Sequence, residues 1–423
     1  MVYQNTYDFA KAADADDPLS ILRREFTFPD APAGKETLYF CGNSLGIQPK
    51  RSVKYVQQTL QDWAKLGVKG HFEGEGRFAD YYKKLQPTLA MLVGARVHEV
   101  TAMSTLSVNL HLMMATFYQP KGKRTKILME AGAFPSDQYA VESQVKWHGL
   151  NPEEAIVEVS PEPGKFYLET EAILDAITLA GEELALVMFS GVNYYTGQVF
   201  DMEAIVQAAR KVGAYVGFDL AHAMGNVPVE LHDWDADFAV WCTYKYLNSG
   251  PGAVAGLFVH EKHAQAVELP RLAGWWGYDE KTRFNMEKGF KPMYGAEGWQ
   301  LSNENILSLA SMRGSLELFA EVGMDAIRQK SERLTGYLEY ILEDIDFLSI
   351  VTPRHARGAQ LSVKAREDIG RHFFEYLISE GVFCDWREPG ITRLAPAPLY
   401  NSFADVWKLG QLLESYRERF VGK

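Results

Sequence analysis

The sequence predicts an α/β fold: a large domain with a mostly parallel mixed sheet between helices, followed by a smaller α+β C-terminal domain. Three observations predict it. Through the middle of the chain, short β-rich runs alternate with helical patterns, as they do in parallel sheets. Polar residues fall at the ends of those runs, where ligands bind in open parallel sheets. Beyond Asn303 the alternation gives way to longer helical patterns. At 423 residues the chain is also too long for one small core.

The elements follow in order. Residues 1–45 form an N-terminal segment that the sequence assigns to neither domain. Residues 46–304 form the large domain. Within it a helical pattern runs over 104–117, opened by Leu106 and Ser107. Residues 125–134 (TKILMEAGAF) read as a buried strand leaving into a turn, and 136–147 as the helix after it. LALVMFSGV (184–192) is a second strand, with a polar exit loop. Residues 202–212 read as a helix, and 213–225 (GAYVGFDLAHAMG) as a strand and turn. The stretch 238–259 reads as two strands around a glycine-rich turn. Residues 305–423 form the smaller domain. Helices are predicted at 306–319 and 324–345, with Gly323 between them, and an amphipathic helix near 403–420.

Composition excludes several classes. A net charge of -12 repels phosphate backbones and predicts no nucleic-acid partner. The basic run 121–126 (KGKRTK) lies between apolar stretches and reads as a solvated loop. Cys41, Cys242 and Cys384 are too scattered for a disulfide framework or a zinc motif. His260 and His263 lie three apart, but no clustered carboxylate or cysteine completes a site, so no metal is expected. The N-terminus lacks a signal peptide's apolar core, and no run approaches the ~20 apolar residues of a membrane span. A soluble, reduced, cytoplasmic protein is expected.

Chemistry concentrates on a few positions. Asp219 ends the strand pattern YVGF, and His222 lies three residues on. Taken alone, Asp219 suits a metal ligand, a general base, a pyridinium partner or a loop cap. Lys245 lies in the apolar stretch FAVWCTYKYLNSGPG, where an ammonium is costly unless paired or chemically altered. Together they meet the needs of pyridoxal 5'-phosphate: a lysine for the aldehyde and a carboxylate for the ring nitrogen. Backbone N–H groups at Leu106 and Ser107, with the hydroxyls of Tyr244 and Ser190, could serve the phosphate. Phe134 could stack on the ring, and Arg393 could hold a substrate carboxylate with its fork. Two glycine patterns fail as dinucleotide fingerprints. Gly74–Ala79 has no strand before it, and Gly250-Pro251-Gly252 leads into a β-like run instead of a helix.

Eight ordered segments resemble the kynureninase family: LSVNLHLMM (106–114), FPSDQYAVESQ (134–144), FSGVNYYTGQ (189–198), FDLAHAMGNVPVELHDW (218–234), CTYKYLNSGPG (242–252), AGWWGY (273–278), QLSNEN (300–305) and RLAPAPLYNSF (393–403). The resemblance runs from about residue 40 to 405. It implies the aspartate-aminotransferase-like fold (type I) and a homodimer with active sites at the subunit interface. By that resemblance Lys245 carries the cofactor as a Schiff base, Asp219 faces its ring nitrogen and Phe134 stacks on it. Leu106, Ser107, Asp137, Ser190, His222 and Tyr244 match further cofactor contacts, as do Trp275 and Asn303, which the family can supply from the partner subunit. Arg393 matches the arginine for the substrate α-carboxylate. The implied reaction is hydrolysis of the Cβ–Cγ bond of L-kynurenine, giving anthranilate and L-alanine, with Tyr244 as a proton donor. His71, Ser302 and Asn303 match members that favour 3-hydroxykynurenine. The family often reads GWFGH where this chain has Trp276 and Tyr278, which implies changed packing or a changed pocket rim. Competing expectations are another fold type I enzyme, such as a cysteine desulfurase, and a cofactor-binding regulatory protein without catalysis. The three cysteines do not suit the mobile nucleophile of the former.

Overall fold

The computed structural model describes residues 2–422. Its centre is a seven-stranded sheet: β1 (Val100–Ala102), β2 (Lys126–Glu130), β3 (Ile156–Val159), β4 (Leu184–Ser190), β5 (Tyr215–Asp219), β6 (Phe238–Trp241) and β7 (Gly256–Val259). The spatial order is β1-β7-β6-β5-β4-β2-β3. Neighbours from β3 through β6 run parallel, while β7 is antiparallel to both β6 and β1. The predicted α/β class and mostly parallel mixed sheet are therefore present. In β4 every residue before Ser190 is buried, because helices cover both faces. Two strands escaped the sequence reading, β1 and β3. β1 is only 3 residues long, and β3 includes an exposed Glu158, so neither makes the continuous apolar run that marks the comparably short β6 and β7.

The predicted helices appear with small shifts at their ends. The first after β2 runs Pro135–Trp147 and so begins one residue early, since a proline at the first helical position gives up only an N–H that has no partner there. Met202–Val212 ends where Gly213 adopts a left-handed conformation. Beyond the sheet, Ile306–Val322 lies along Lys50–Leu66. Gly314 makes that approach possible: a Cβ there would lie 2.3 Å from the backbone nitrogen of Ser52. A second, antiparallel sheet follows: β8 (Leu348–Ile350), β9 (Leu361–Ala365), β10 (Asp385–Arg387) and β11 (Ile391–Leu394), in the order β8-β9-β11-β10. The last α-helix spans Phe403–Tyr416 and passes into a π turn ending at Val421, so the amphipathic stretch is wound in two ways.

The N-terminal segment serves both sheets. Its helix Tyr7–Ala15 packs on Phe403–Tyr416, and the Asp14 carboxylate accepts the N–H groups of Phe403 and Ala404 at 2.6 and 3.0 Å. Leu38–Tyr39 pairs with Val382–Phe383, and Gly46 then donates to the carbonyl of Tyr244 at 2.8 Å. The run 121–126 is a tight turn in which Lys121 and Arg124 pair through their backbones. Arg124 donates to the carbonyls of Leu184, Val212 and Gly213, and Lys123 and Lys126 pair with Glu182 and Glu183, so it forms no free basic patch. Among the described residues no helix is long and apolar enough to cross a membrane.

One expectation is corrected through space. Residues distant in sequence do gather at His260: the possible ligand atoms of Glu99, His232 and His260 lie within 4.8 Å of one another. Several of these atoms already have partners within the protein. Glu99 accepts the N–H groups of Arg96 (2.8 Å) and Glu261 (2.7 Å) and meets His232 Nδ1 at 2.9 Å, while His260 Nδ1 accepts the N–H of Lys262. The cluster braces the segment leaving β7. His263 likewise meets Asp237, at 2.8 Å.

Candidate active site

The carboxyl ends of the parallel strands converge on one pocket. β2 ends at Glu130, β4 at Ser190 and β5 at Asp219, and the loop after β6 carries Tyr244 and Lys245. The pocket has a volume of about 130 Å³. It is lined by Leu106, Ser107, Phe134, Asp137, Ser190, Asp219, His222, Tyr244 and Lys245, together with Glu130 and Tyr194. Lys245 is half-buried in the loop between β6 and β7, outside any strand, so its flanking apolar residues are in the core while the amine faces the pocket. Its Nζ lies 5.8 Å from the centroid of the Phe134 ring.

Burial sets the protonation of the acidic groups. Asp219 is only 5 % exposed, and burial raises its carboxyl, opposed by the charge of Lys245 and the N–H of Ala221 at 2.7 Å. Asp137 is pushed well above the usual carboxylate range by burial and then by the charge of Asp219, to which it hydrogen-bonds. Both carboxyls of this hydrogen-bonded pair are thus raised, and their titrations belong to the pair. His222 is held well below its ordinary value by burial and by Lys245, Arg393 and Arg387, so its ring is neutral. Burial raises the Tyr244 hydroxyl and keeps it protonated.

These groups fit pyridoxal 5'-phosphate. The helix Leu106–Phe117 opens without a side-chain cap from Thr105, leaving first-turn N–H groups at the pocket for an anion. The buried Nδ1 of His222 has no hydrogen-bond partner among the described residues. Phe134, 41 % exposed, offers a ring face, and Asp219 supplies a buried carboxyl that faces the charge of Lys245.

Arg393 stands one residue behind the pocket wall. It is 1 % exposed, with Nε donating to Asp385 Oδ1 at 2.6 Å and Nη2 to Asp385 Oδ2. The two residues are antiparallel partners on β10 and β11, which fixes the fork. Nη1 donates to the carbonyl of Tyr194 at 2.7 Å, and the Tyr194 ring meets Phe134 edge-on at 5.1 Å. Three of five guanidinium N–H groups are engaged, leaving one on each of Nη1 and Nη2.

Besides Arg393, four predicted residues lie outside this pocket. His71 lines a separate cleft with Trp63, Val68 and Asn305. Trp275 is 48 % exposed, and its indole N–H donates to the carbonyl of Arg283. Ser302 is exposed and Asn303 half-buried, just ahead of the helix Ile306–Val322. Trp276, which departs from the family pattern, is buried under the guanidinium of Arg283, 4.5 Å from its ring centroid, which makes it a packing residue.

Sequence reasoning missed Glu130, Asn193, Tyr194 and Asp385. Glu130 was within reach, because it ends β2 as Asp219 ends β5. The others act through pairing across strands or through a backbone carbonyl, which no local pattern records.

The neighbouring Glu304 carries a prediction. Burial raises its carboxyl to about 7, opposed by the N–H of Ser104, a residue held at a φ of 49°. A carboxyl with a raised folded value stabilises the protein most below its unfolded value, near 4.5, and the contribution is lost as pH rises through 7. Glu304→Gln should therefore stabilise the protein at pH 8, by about 2 kcal/mol, and make no difference at pH 4.5. Thermal melts at the two pH values check this; an advantage confined to low pH would refute it.

Comparison with known proteins identifies the fold and the family. Residues 327–413 match the family model described as the kynureninase C-terminal domain, and residues 72–230 match that of the DegT/DnrJ/EryC1/StrS aminotransferase family. Kynureninase of Flavobacterium johnsoniae is 52% identical over 421 residues, covering 98% of this chain and 99% of the relative. That of Myxococcus xanthus is 52% identical over 419 residues, covering 98% of each. Among solved structures, a C-DES mutant with glycine covalently linked to its PLP cofactor has a TM-score of 0.76 at 16% identity, covering 90% of this chain and 97% of its own. An apo cysteine desulfurase from Thermococcus onnurineus has a TM-score of 0.71 at 16% identity, covering 99% of this chain and 100% of its own. Those two structures share the fold alone. Identity of about half the residues across nearly the whole length does more: the chain belongs to the kynureninase family.

Proposed function

We propose that this protein hydrolyses the Cβ–Cγ bond of L-kynurenine and 3-hydroxy-L-kynurenine, releasing L-alanine with anthranilate or 3-hydroxyanthranilate. The observation that carries this reading is the convergence of Lys245, the Asp137–Asp219 pair and Phe134 on one pocket with Arg393 behind its wall. When bound, pyridoxal 5'-phosphate supplies an aldehyde carbon for amines and an electron-withdrawing ring.

The chain's residues divide the remaining work. Lys245 is the amine for the cofactor and the base that takes the substrate α-proton. Asp219, which faces the charge of Lys245 and hydrogen-bonds to Asp137, holds a proton at the ring nitrogen. Leu106, Ser107, Ser190 and His222 hold the cofactor's polar groups, and Phe134 stacks on its ring. Tyr244, protonated at neutral pH, is the donor to Cβ as the aromatic acyl group leaves with water. Arg393 meets the substrate α-carboxylate through the Nη1–Nη2 edge that Asp385 leaves open.

His71, Trp275, Ser302 and Asn303 lie apart from the Lys245 pocket of their own chain, which supports their use in a second copy's active site within a homodimer. In that arrangement Trp275 and Asn303 reach the cofactor, and His71, Ser302 and Asn303 the aromatic ring of the substrate, favouring the 3-hydroxylated form. The domain boundaries near residues 45 and 304, a cytoplasmic location and the lack of a nucleic-acid partner belong to the same reading; the last agrees with the charge of -12. Incubation with each substrate should release alanine and the matching aromatic acid in equal amounts, with kcat/KM higher for 3-hydroxykynurenine. A large preference for plain kynurenine would sink the specificity assignment, and cleavage of neither would sink the function.

A further inference from the structure

Glu130 has no part in the chemistry above, yet it is 2 % exposed and lines the pocket. Such a buried carboxylate needs partners, and here both are side chains of one turn. Oε1 accepts the hydroxyl of Ser190, and Oε2 accepts Asn193 Nδ2 at 2.9 Å. Burial raises this carboxyl, and the side-chain hydrogen bonds from Ser190 and Asn193 oppose the rise.

Asn193 passes the constraint on. Its Oδ1 accepts the N–H of Tyr195 at 3.0 Å, the N–H of Thr196 at 2.8 Å and the Thr196 hydroxyl at 3.0 Å. The turn so closed fixes the Tyr194 carbonyl, which takes Arg393 Nη1 at 2.7 Å and Gln360 Nε2 at 3.2 Å. We infer that Glu130 is a positioning residue: through Ser190 and Asn193 it orders the 190–196 turn and thereby sets the guanidinium of Arg393 for the substrate carboxylate. The inference rests on the reading of Arg393 given above.

Glutamine at this position keeps the shape but brings a donor where an acceptor stood, so one of the two contacts must turn round or break. Asn193→Ser removes the donor to Glu130 while a hydroxyl can still close the turn. The holoenzyme variants Glu130→Gln, Asn193→Ser and Arg393→Lys are to be compared with wild type on L-kynurenine, with amide hydrogen exchange followed over residues 190–198. In Glu130→Gln and Asn193→Ser, KM should rise about tenfold while kcat stays within about threefold, the loss of one buried hydrogen bond felt in binding. Exchange at Tyr195 and Thr196 should quicken about tenfold. If Glu130→Gln does not fold, Asn193→Ser carries the test. Wild-type KM in both variants, a loss confined to kcat, or unaltered exchange overturns the inference. Arg393→Lys separates the failures. A wild-type KM there removes the carboxylate role of Arg393 and this inference with it; a raised KM there, with both other variants unchanged, removes only the role of Glu130.

Discussion

Alanine in place of Lys245 should abolish turnover of L-kynurenine, lowering kcat by at least ~10⁴-fold, because one side chain supplies both the cofactor's amine and the base for the α-proton. The loss should be chemical and not structural. The loop that carries Lys245 is held by its backbone: Gly46 donates to the Tyr244 carbonyl, Asn248 to that of Lys245 and Ser249 to that of Thr243. The Thr243 hydroxyl also reaches the carbonyl of Val254 at 2.7 Å. None of these contacts uses the lysine side chain, which is half-buried and has no ion-pair partner among the described residues. Unchanged melting with no alanine released is the expected pair of results. Retention of a hundredth of the activity would show that another group serves as base.

Lysine in place of Arg393 should lower kcat/KM on the order of 100-fold, or ~2.7 kcal/mol, chiefly through KM. The charge survives the change but the planar fork does not. Arg393 holds both oxygens of Asp385 and the Tyr194 carbonyl while keeping an edge free, whereas an ammonium has three donors at one point. Asp385 would not be stranded, since Arg387 Nη2 lies 3.3 Å from its Oδ2. The melting temperature should fall only modestly, and steady-state kinetics beside a thermal melt separate the two effects. A KM within twofold of wild type would move the carboxylate site elsewhere.

The sequence made the large sheet legible where strands were long or ended in chemistry. β4 and β5 were readable because apolar runs stop at Ser190 and Asp219. β1 and β3 were not, being short pieces whose pairing supplies what their own pattern lacks. The pocket was legible for the same reason as β5, that side chains at strand ends meet in space. What stayed hidden was relational. Asp385 is eight residues from Arg393 and became its partner only through the register of β10 against β11. Tyr194 contributes a carbonyl, and every residue has one. The separation of His71, Trp275, Ser302 and Asn303 from Lys245 likewise follows from the path of the chain and not from any local composition.

The cap that Asp14 places on the helix Phe403–Tyr416 has a consequence for the order of events during synthesis. The two ends of that contact are 389 residues apart. At ribosomal speeds of about 5–20 residues per second, roughly 20–80 s separate the appearance of the first helix from that of its shelf. Until then Ala10 and Ala13, both buried in the finished protein, have nothing to rest against. Leu38–Tyr39 waits almost as long for Val382–Phe383. The opening segment is thus made first and settles last, and nascent chains stopped short of residue 403 should leave it open to proteases while the central sheet, complete by Val259, is already protected.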